Sequence, residues 1–272
     1  MQDVTEKFRV AIHGEGAHTV ILGNGFGTTQ QVWRAHAQAL CRFYRVVTFD
    51  TAGSTAATAA AWQPSRHRRL YGFAEDLVSI VETLGLQGAT YVGHSLSASA
   101  GLLAACAAPG LFSGMVLIGC SACYVNDPAG GYTGGFSEAD IKSLLADMTH
   151  DYIAWANGFS PLAMGNPDRP DLAASFATAL KVMRPDVAVD ALGAAFLSDL
   201  RSEALQYGSL GLPTLLLQST NDVAVPLAAA QWLANATGGQ LHVLNAQGHF
   251  PHIANPAAVT QEIMAFLQHR GV

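Results

Sequence analysis

The chain has 272 residues, of which 50% are hydrophobic and only 12% are charged. This balance excludes a disordered chain, which needs low hydrophobicity and a high net charge. The net charge of −6, from 14 Lys and Arg against 20 Asp and Glu, argues against a nucleic-acid-binding surface, because such a surface is basic. The length favours one large domain over two small ones.

The apolar residues fall in short runs bounded by glycine or proline, well below the roughly 20 residues that a membrane-spanning helix needs. Residues 1–7 lack the basic head and apolar run of a signal peptide. We therefore predict a cytosolic protein that contacts no membrane and keeps its cysteines reduced. Cys120 and Cys123 have C-x-x-C spacing, but a loop follows them instead of a helix, so all four cysteines are interpreted as bystander thiols. No metal site or cofactor is predicted.

Strand-like apolar runs alternate with helical patterns along most of the chain. An antiparallel edge strand is predicted at 9–13, and further strands are predicted at 18–22, 45–49, 90–92, 115–118, 214–218 and 241–244. Most of these runs are continuously apolar, as strands are when helices cover both faces of a sheet. Helices are predicted at 70–84, from its apolar stripe, and at 95–107. This alternation predicts an α/β fold with a mostly parallel central sheet flanked by helices.

The alternation is interrupted between residues 132 and 200, where only helical patterns occur. Four helices are predicted in this segment, at 138–148, 151–159, 171–183 and 186–197. A helical block inserted before the last two strands indicates a cap over the sheet edge where open α/β sheets bind ligands. The predicted domains are a core of residues 1–125 and 201–272 and a helical cap, or lid, of residues 126–200.

The strongest motif is Gly-His-Ser-Leu-Ser at residues 93–97, where a predicted strand meets a predicted helix. A serine in this context is typical of a nucleophile elbow, in which a tight turn lifts the hydroxyl of Ser95 off the sheet. The common form is G-x-S-x-G, so Ser97 replaces the second glycine by another small residue. The alternative interpretation is a chance Gly-x-Ser turn.

A serine nucleophile needs a base and an orienting acid, which follow it in the order Ser, Asp, His in this arrangement. Asp222 follows the penultimate strand and is the predicted acid. Two histidines compete after the last strand: His249 is the predicted base, and His252 is predicted to lie at the surface or to cap a helix. The backbone N–H groups of Phe26 and Leu96 are predicted to form an oxyanion hole.

Two other features are interpreted as structural. The Gly-rich loop at 23–27 matches neither G-x-G-x-x-G nor a Walker A sequence, so it does not predict a phosphate site. Asp50 ends a predicted strand within an Asp-x-x-Gly sequence, which is ordinary turn chemistry. Asp50 is therefore interpreted as a turn residue and not as a catalytic acid.

With these motifs the chain resembles an α/β-hydrolase, in the group that holds the bacterial sigma-B stress-response hydrolase RsbQ and the plant karrikin and strigolactone receptors. The resemblance covers nearly the whole chain, and its matching segments are 25–28, 93–98, 124–127, 134–136, 151–155, 159–163, 183–186, 196–201 and 218–226. The cap segments are far more specific than the elbow, and karrikin-type members also carry serine at the second glycine. Asn24, where the wider superfamily often has His, and residues 51–55 depart from the pattern.

The resemblance implies a V-shaped four-helix cap over a deep apolar pocket that leads to Ser95. Matching positions place nine side chains near that pocket: Phe26, His94, Tyr124, Phe136, Trp155, Phe159, Phe196, Val225 and Phe250.

The predicted function is a serine hydrolase for a small, neutral, hydrophobic ester or lactone of the butenolide kind. The alternative is a ligand sensor in which slow hydrolysis changes a contact with a protein signalling partner. A haloperoxidase or dehalogenase is less well supported, because dehalogenases need a carboxylate where Ser95 stands.

Overall fold

The computed structural model describes residues 3–272. Its seven strands are β1 (Ala11–His13), β2 (Thr19–Gly23), β3 (Arg45–Phe49), β4 (Ala89–His94), β5 (Phe112–Ile118), β6 (Thr214–Asn221) and β7 (Gln240–Gln247). They form one sheet in the order β1-β3-β2-β4-β5-β6-β7. β1 pairs antiparallel with β3, and the other neighbouring pairs are parallel. The predicted α/β class, with its mostly parallel sheet and antiparallel edge strand, is confirmed.

Helices connect and flank these strands. In chain order they are α1 (Val4–Lys7), α2 (Arg34–Leu40), α3 (Pro64–His67), α4 (Leu70–Thr83), α5 (Leu96–Ala107), α6 (Glu138–His150), α7 (Tyr152–Met164), α8 (Pro170–Val182), α9 (Pro185–Phe196), α10 (Arg201–Gly208), α11 (Leu227–Thr237), α12 (Pro251–Ala254) and α13 (Pro256–His269). Short 3-10 helices lie at Gln30–Trp33 and Ala56–Ala61. Within the described part of the chain, these helices are all too short or too polar to cross a membrane.

Alternate strand residues enter two separate hydrophobic cores. Val92 and Val116 point to one face of the sheet, where they pack in a cluster with residues of α2 and α13. Tyr91 and Met115 point to the other face and share a cluster with residues of α4 and α5. Because helices cover both faces of the sheet, strand side chains on both sides are shielded from water. The strand sequences are therefore continuous runs of apolar residues.

The four helices predicted between the fifth and sixth strands are present as α6 to α9. The largest boundary difference is at α7, which continues through Pro161 to Met164 although it was predicted to end at 159. Proline removes one helical hydrogen bond, and the last turn is nevertheless stable because Ala163 and Met164 are buried against the rest of the protein.

The two chain segments that flank this helical segment lie next to each other where they join the sheet. The N–H of Leu200 donates to the carbonyl of Ala122 at 2.7 Å, and Cys123 forms an isolated bridge with Asp199. These contacts between the two flanking segments support the predicted division into a core of residues 1–125 and 201–272 and a cap of residues 126–200. That division stays a prediction.

Candidate active site

Ser95 lies at the turn between β4 and α5 with a φ of 50°, in the left-handed region that residues other than glycine rarely adopt. Its N–H donates to the carbonyl of Ile118 at 2.9 Å, which holds the turn against β5. There is no space for a larger neighbour, since a Cβ on Gly93 would lie 2.8 Å from the backbone nitrogen of Ala98. The strand, the turn with positive φ and the helix that the predicted elbow requires are therefore present.

Ser97 has a specific role in this turn beyond being small. Its hydroxyl donates to the backbone carbonyl of Asn24 at 2.6 Å, so it ties the first turn of α5 to the loop after β2. Asn24 is buried in turn and donates from its amide to the carbonyl of Thr28 at 2.7 Å. A glycine at position 97 could not make the first of these bonds.

The structure brings Ser95, His249 and Asp222 into one hydrogen-bonded chain. Oγ of Ser95 lies 2.8 Å from Nε2 of His249, and Nδ1 of His249 lies 2.8 Å from Oδ2 of Asp222. The three side chains are almost fully buried. Because a carboxylate accepts only, the imidazole donates from Nδ1 to Asp222 and presents the lone pair of Nε2 to the serine hydroxyl.

Asp222 is held as a carboxylate by several donors. Oδ1 accepts from the backbone N–H groups of Ala224 and Val225 at 2.8 and 3.1 Å, and Oδ2 accepts from the amide of Gln218 at 3.0 Å. Burial opposes ionisation, but the adjacent His249 and the two N–H groups outweigh it and hold the pKa of Asp222 below its ordinary value. The acid is therefore charged at neutral pH.

The loop that carries His249 is held on both sides. The N–H of His249 donates to the carbonyl of Ala163, at the end of α7, at 2.8 Å. The carbonyl of His249 lies 2.8 Å from Nε2 of His94. Gly248 has a φ of +80°, and a Cβ there would lie 1.9 Å from the carbonyl oxygen of Met164. Only glycine fits this approach of α7 to the loop.

The prediction that His252 lies at the surface or caps a helix is wrong. Its ring is fully buried, stacks on Trp33 at 4.7 Å between ring centroids, and lies 4.3 Å from the ring of His94. Neither ring nitrogen has a hydrogen-bond partner among residues 3–272. The side chain turns inward because the short helix α12 packs against the 3-10 helix that ends at Trp33.

The two backbone N–H groups predicted to form the oxyanion hole are unpaired within residues 3–272. Those of Phe26 and Leu96 donate to no acceptor in the described residues. Leu96 is the first residue of α5, where helix geometry leaves the N–H unpaired and the helix dipole favours negative charge. Gly27, with a φ of +72°, lets α8 approach this loop, since a Cβ there would lie 2.5 Å from Leu180.

Two groups of aromatic side chains surround this region. The first, which we call the aromatic row, joins the helical segment to the site loops through neighbouring rings: Phe26, Trp155, Phe159, Phe176 and Phe250. The second, the aromatic trio, packs with centroid distances of 4.2 to 6.5 Å: Tyr124, Phe136 and Phe196. Burial raises the pKa of the Tyr124 phenol, while the hydroxyl of Ser95 opposes that shift, so the phenol is neutral.

His94 and Val225, which the resemblance places at the pocket, have no accessible surface in this conformation. His94 lies behind His249 and bonds to its backbone, and the N–H of Val225 bonds to Asp222. Neither side chain offers a surface to a ligand here, because neighbouring side chains enclose both.

The groups interpreted as structural have ordinary environments. Burial raises the pKa of Cys120 to about 12, so its thiol is protonated at neutral pH, and Cys123 is also a free, buried thiol. Asp50 accepts from the N–H of Gln30 at 2.7 Å and from Arg9 at 3.2 Å. These contacts join the end of β3 to the neighbouring loops.

Residues 17–262 match the model of the alpha/beta hydrolase family. The chain belongs to this family. Among curated relatives, strigolactone esterase D14 of Arabidopsis thaliana is 36% identical over 95% of this chain and 96% of its own length. The karrikin insensitive 2 receptor CA of Petunia hybrida is 35% identical over 98% and 97%. A solved hydrolase from Oleispira antarctica has a TM-score of 0.92 and 30% identity, covering 98% of this chain and 96% of that one.

The predicted α/β-hydrolase fold and the resemblance to the karrikin and strigolactone receptor group are thus confirmed. Sequence reasoning missed three contributors to the site of this α/β hydrolase: Gln218, Phe176 and Ala163. A polar residue inside the apolar β6 run was the available signal for Gln218. Phe176 could not be told from an ordinary core residue, and Ala163 acts through its backbone carbonyl, which leaves no trace in the sequence.

Proposed function

We propose that this α/β hydrolase cleaves a small, apolar carboxylic ester or lactone through Ser95, His249 and Asp222. The hydrogen-bonded chain from Oγ of Ser95 through the imidazole to the buried carboxylate is the observation that carries the proposal. Ionised Asp222 selects the tautomer of His249 that leaves Nε2 able to accept a proton. This is the division of roles that converts a weakly nucleophilic hydroxyl into an effective one.

The reaction has two halves. In the first, Nε2 of His249 takes the proton of Ser95 as Oγ attacks the substrate carbonyl carbon, and the proton then passes to the leaving oxygen as the carbon–oxygen bond breaks. In a lactone, the leaving hydroxyl stays attached to the acyl chain. In the second half, His249 activates a water molecule that hydrolyses the acyl ester and restores the serine hydroxyl.

The negative charge that develops on the carbonyl oxygen needs donors that are already in place. The unpaired N–H groups of Phe26 and Leu96 lie on the two segments that meet at Ser95, and Ser97 ties these segments together through Asn24. Donors fixed in this way stabilise the tetrahedral intermediate without reorganisation, and one such donor typically contributes about 2.7–4 kcal/mol.

The walls around the site support an apolar, uncharged substrate. The aromatic row and the aromatic trio contribute rings without a formal charge, and their polar groups are the neutral phenol of Tyr124 and the indole N–H of Trp155. Such walls favour a hydrophobic ligand with few polar atoms. A relative at 36% identity is named a strigolactone esterase, which supports a butenolide-like lactone as the substrate class.

Replacement of Ser95 by Ala tests the proposal. We expect the variant to lose turnover of p-nitrophenyl acetate by at least about 10³-fold, because no nucleophile remains. Ser99→Ala is the matched control, since Ser99 is a buried serine one helical turn further along α5 whose hydroxyl contacts Cys120. Unchanged turnover in Ser95→Ala would contradict the proposal.

A second function, a ligand sensor with slow turnover, is favoured by a separate observation. Four large apolar side chains of the helical segment are more than half exposed: Ile153, Leu162, Val182 and Leu197. Surfaces that contact a protein partner expose contiguous apolar patches, and these four side chains are the apolar positions that the segment offers to such a surface. A relative that covers 98% of this chain is named a karrikin insensitive 2 receptor.

Thermal melting with a simple butenolide, combined with steady-state kinetics, separates the two functions. A sensor is expected to show a large melting shift and very slow hydrolysis, whereas a metabolic hydrolase shows fast hydrolysis and little shift. The Ser95→Ala variant distinguishes ligand binding from ligand hydrolysis, because it keeps the aromatic row and the aromatic trio around the site and lacks the proposed nucleophile. Fast turnover by the wild-type protein without a melting shift would exclude the sensor.

A further inference from the structure

The ring of His94 fills the space directly behind the proposed active site. His94 ends β4 and precedes Ser95 in the chain, and its side chain is fully buried. The ring centroid lies 4.9 Å from those of His249 and Phe250. The imidazole of His94 therefore contacts the loop that carries the proposed base, His249. The backbone of His94 leads directly into Ser95, the proposed nucleophile.

The hydrogen bond between His94 and His249 has a defined direction. A backbone carbonyl accepts only, so Nε2 of His94 carries the proton and donates it to the carbonyl of His249 at 2.8 Å. Burial, followed by the proximity of His249, lowers the pKa of His94 to about 3. The ring is thus neutral at physiological pH and keeps one tautomer.

The other edge of the ring lies against the loop of the proposed oxyanion hole. A Cβ on Gly25 would lie 2.3 Å from Nδ1 of His94, so the backbone at Gly25 rests on the imidazole. Gly25 is followed by Phe26, whose N–H is one of the two proposed oxyanion donors. The same side chain therefore limits the position of both loops relative to Ser95.

A second buried histidine holds the far end of the same loop. Nε2 of His36 lies 3.0 Å from the carbonyl of His252, and Nδ1 of His36 lies 2.8 Å from the hydroxyl of Thr260. The segment from His249 to His252 is thus bonded at its first carbonyl by His94 and at its last by His36. Backbone bonds of this kind restrict a loop that would otherwise be mobile.

We propose that His94 is a positioning residue that sets His249 and the Phe26 loop relative to Ser95, through its hydrogen bond to the His249 carbonyl and its contact with Gly25. This inference rests on the proposed function, since it assigns His249 as the base. A displacement of about 1 Å in such a group can lower turnover by about 10²-fold.

Three substitutions of His94 test the role of its donor. Leu removes the donor, Asn carries an amide too short to reach the His249 carbonyl, and Gln places an amide N–H near the position of Nε2. We expect His94→Leu and His94→Asn to lower kcat for p-nitrophenyl acetate by about 10- to 100-fold with KM within about twofold, and His94→Gln to retain most of the activity. The rate at which paraoxon phosphorylates Ser95, with release of p-nitrophenol, should fall in parallel.

His67→Leu is the control for the loss of a buried histidine. His67 is equally buried and bonds to Asp76 at 2.8 Å, and it makes no hydrogen bond to the proposed triad. We expect a lower melting temperature and an unchanged kcat for this variant. Thermal melting of every variant confirms that folded protein is compared, and His94→Asn replaces His94→Leu if the latter does not fold.

The outcomes separate this inference from the proposed function. If Ser95→Ala abolishes turnover while His94→Asn keeps a normal kcat, or while His94→Gln is as impaired as His94→Asn, the positioning role is wrong and the serine hydrolase proposal stands. If Ser95→Ala retains turnover, the proposed function fails, and the inference fails with it. A selective loss of kcat in the Leu and Asn variants, with recovery in Gln, supports the role of the donor.

Discussion

The backbone N–H of His249 donates a 2.8 Å hydrogen bond to the carbonyl of Ala163, at the C-terminal end of α7. The helical segment between β5 and β6 therefore contacts the loop of the proposed base directly. Met164 and Gly248 pack against each other at the same point. We infer that this segment helps to place the base, in addition to contributing aromatic side chains around the site.

Gly248→Ala is expected to lower both stability and kcat. Its φ of +80° is unfavourable for alanine, and the new Cβ would lie 1.9 Å from the carbonyl oxygen of Met164, so the loop must move away from α7. Gly238→Ala is the control, since Gly238 has a φ of +68° with no atom within 4 Å of the added Cβ. The control should cost only about 1–2 kcal/mol of backbone strain and keep kcat. Equal kcat values in the two variants, measured alongside thermal melting, would disprove the coupling.

Asp222→Asn is expected to lower kcat by about 10³- to 10⁴-fold, because a neutral amide no longer selects the productive tautomer of His249. Asp50→Asn is the matched control: Asp50 is also buried and bonded to a backbone N–H, but it lies at the end of β3. We expect Asp50→Asn to lose stability and keep its turnover. Steady-state kinetics at saturating p-nitrophenyl acetate make the comparison, and similar losses in both variants would argue against the assigned acid.

Buried histidines should make the protein less stable in mild acid. Burial lowers the pKa values of His36, His94 and His252 in the folded chain, whereas an unfolded histidine titrates near pH 6.5. As the pH falls below about 6.5, the unfolded chain binds protons that the folded chain does not. The free energy of unfolding then decreases as the pH falls, and for His94 the decrease is up to about 1.4 kcal/mol per pH unit down to about pH 3.

Urea unfolding between pH 5 and pH 8 measures this dependence. His252→Phe should reduce the slope of unfolding free energy against pH by one proton, because the substituted ring cannot titrate. At pH 8, where unfolded histidines are already neutral, the slope that these groups contribute should vanish. A variant with the wild-type slope below pH 6.5 would show that His252 does not bind an additional proton on unfolding.

Trp155→Ala is expected to raise KM for apolar esters by about tenfold, with a smaller effect on kcat, because it removes a ring from the aromatic row and about 1–2 kcal/mol of apolar contact. Trp155 stacks on Phe159 at 4.8 Å and lies 6.5 Å from Phe26. Trp232 is also half-buried but packs on Tyr132 outside the row, so Trp232→Ala should leave KM unchanged. A KM increase shared by both variants would indicate a general loss of packing.

Much of the fold could be predicted from the sequence because its signals are local. The strand at Arg45–Phe49 was predicted with its observed bounds, and α4 was predicted to within one residue from the spacing of its apolar stripe. The extension of α7 past Pro161 could not be predicted in this way. Pro161 removes a hydrogen bond within the helix and so disfavours this extension locally. Contacts with the His249 loop, which is distant in sequence, stabilise it.

The sequence by itself determined the α/β class, the mostly parallel sheet and the segments from which Ser95, Asp222 and His249 project, because each depends on periodicity or on residue order along the chain. Only the tertiary structure decided that His252 is buried, that Gln218 bonds to Asp222 and that His94 bonds to the backbone of His249. These contacts join residues from different strands and loops, and several are made by backbone carbonyls that every residue type carries alike. Their existence depends on distance in the folded chain, which residue identity alone does not encode.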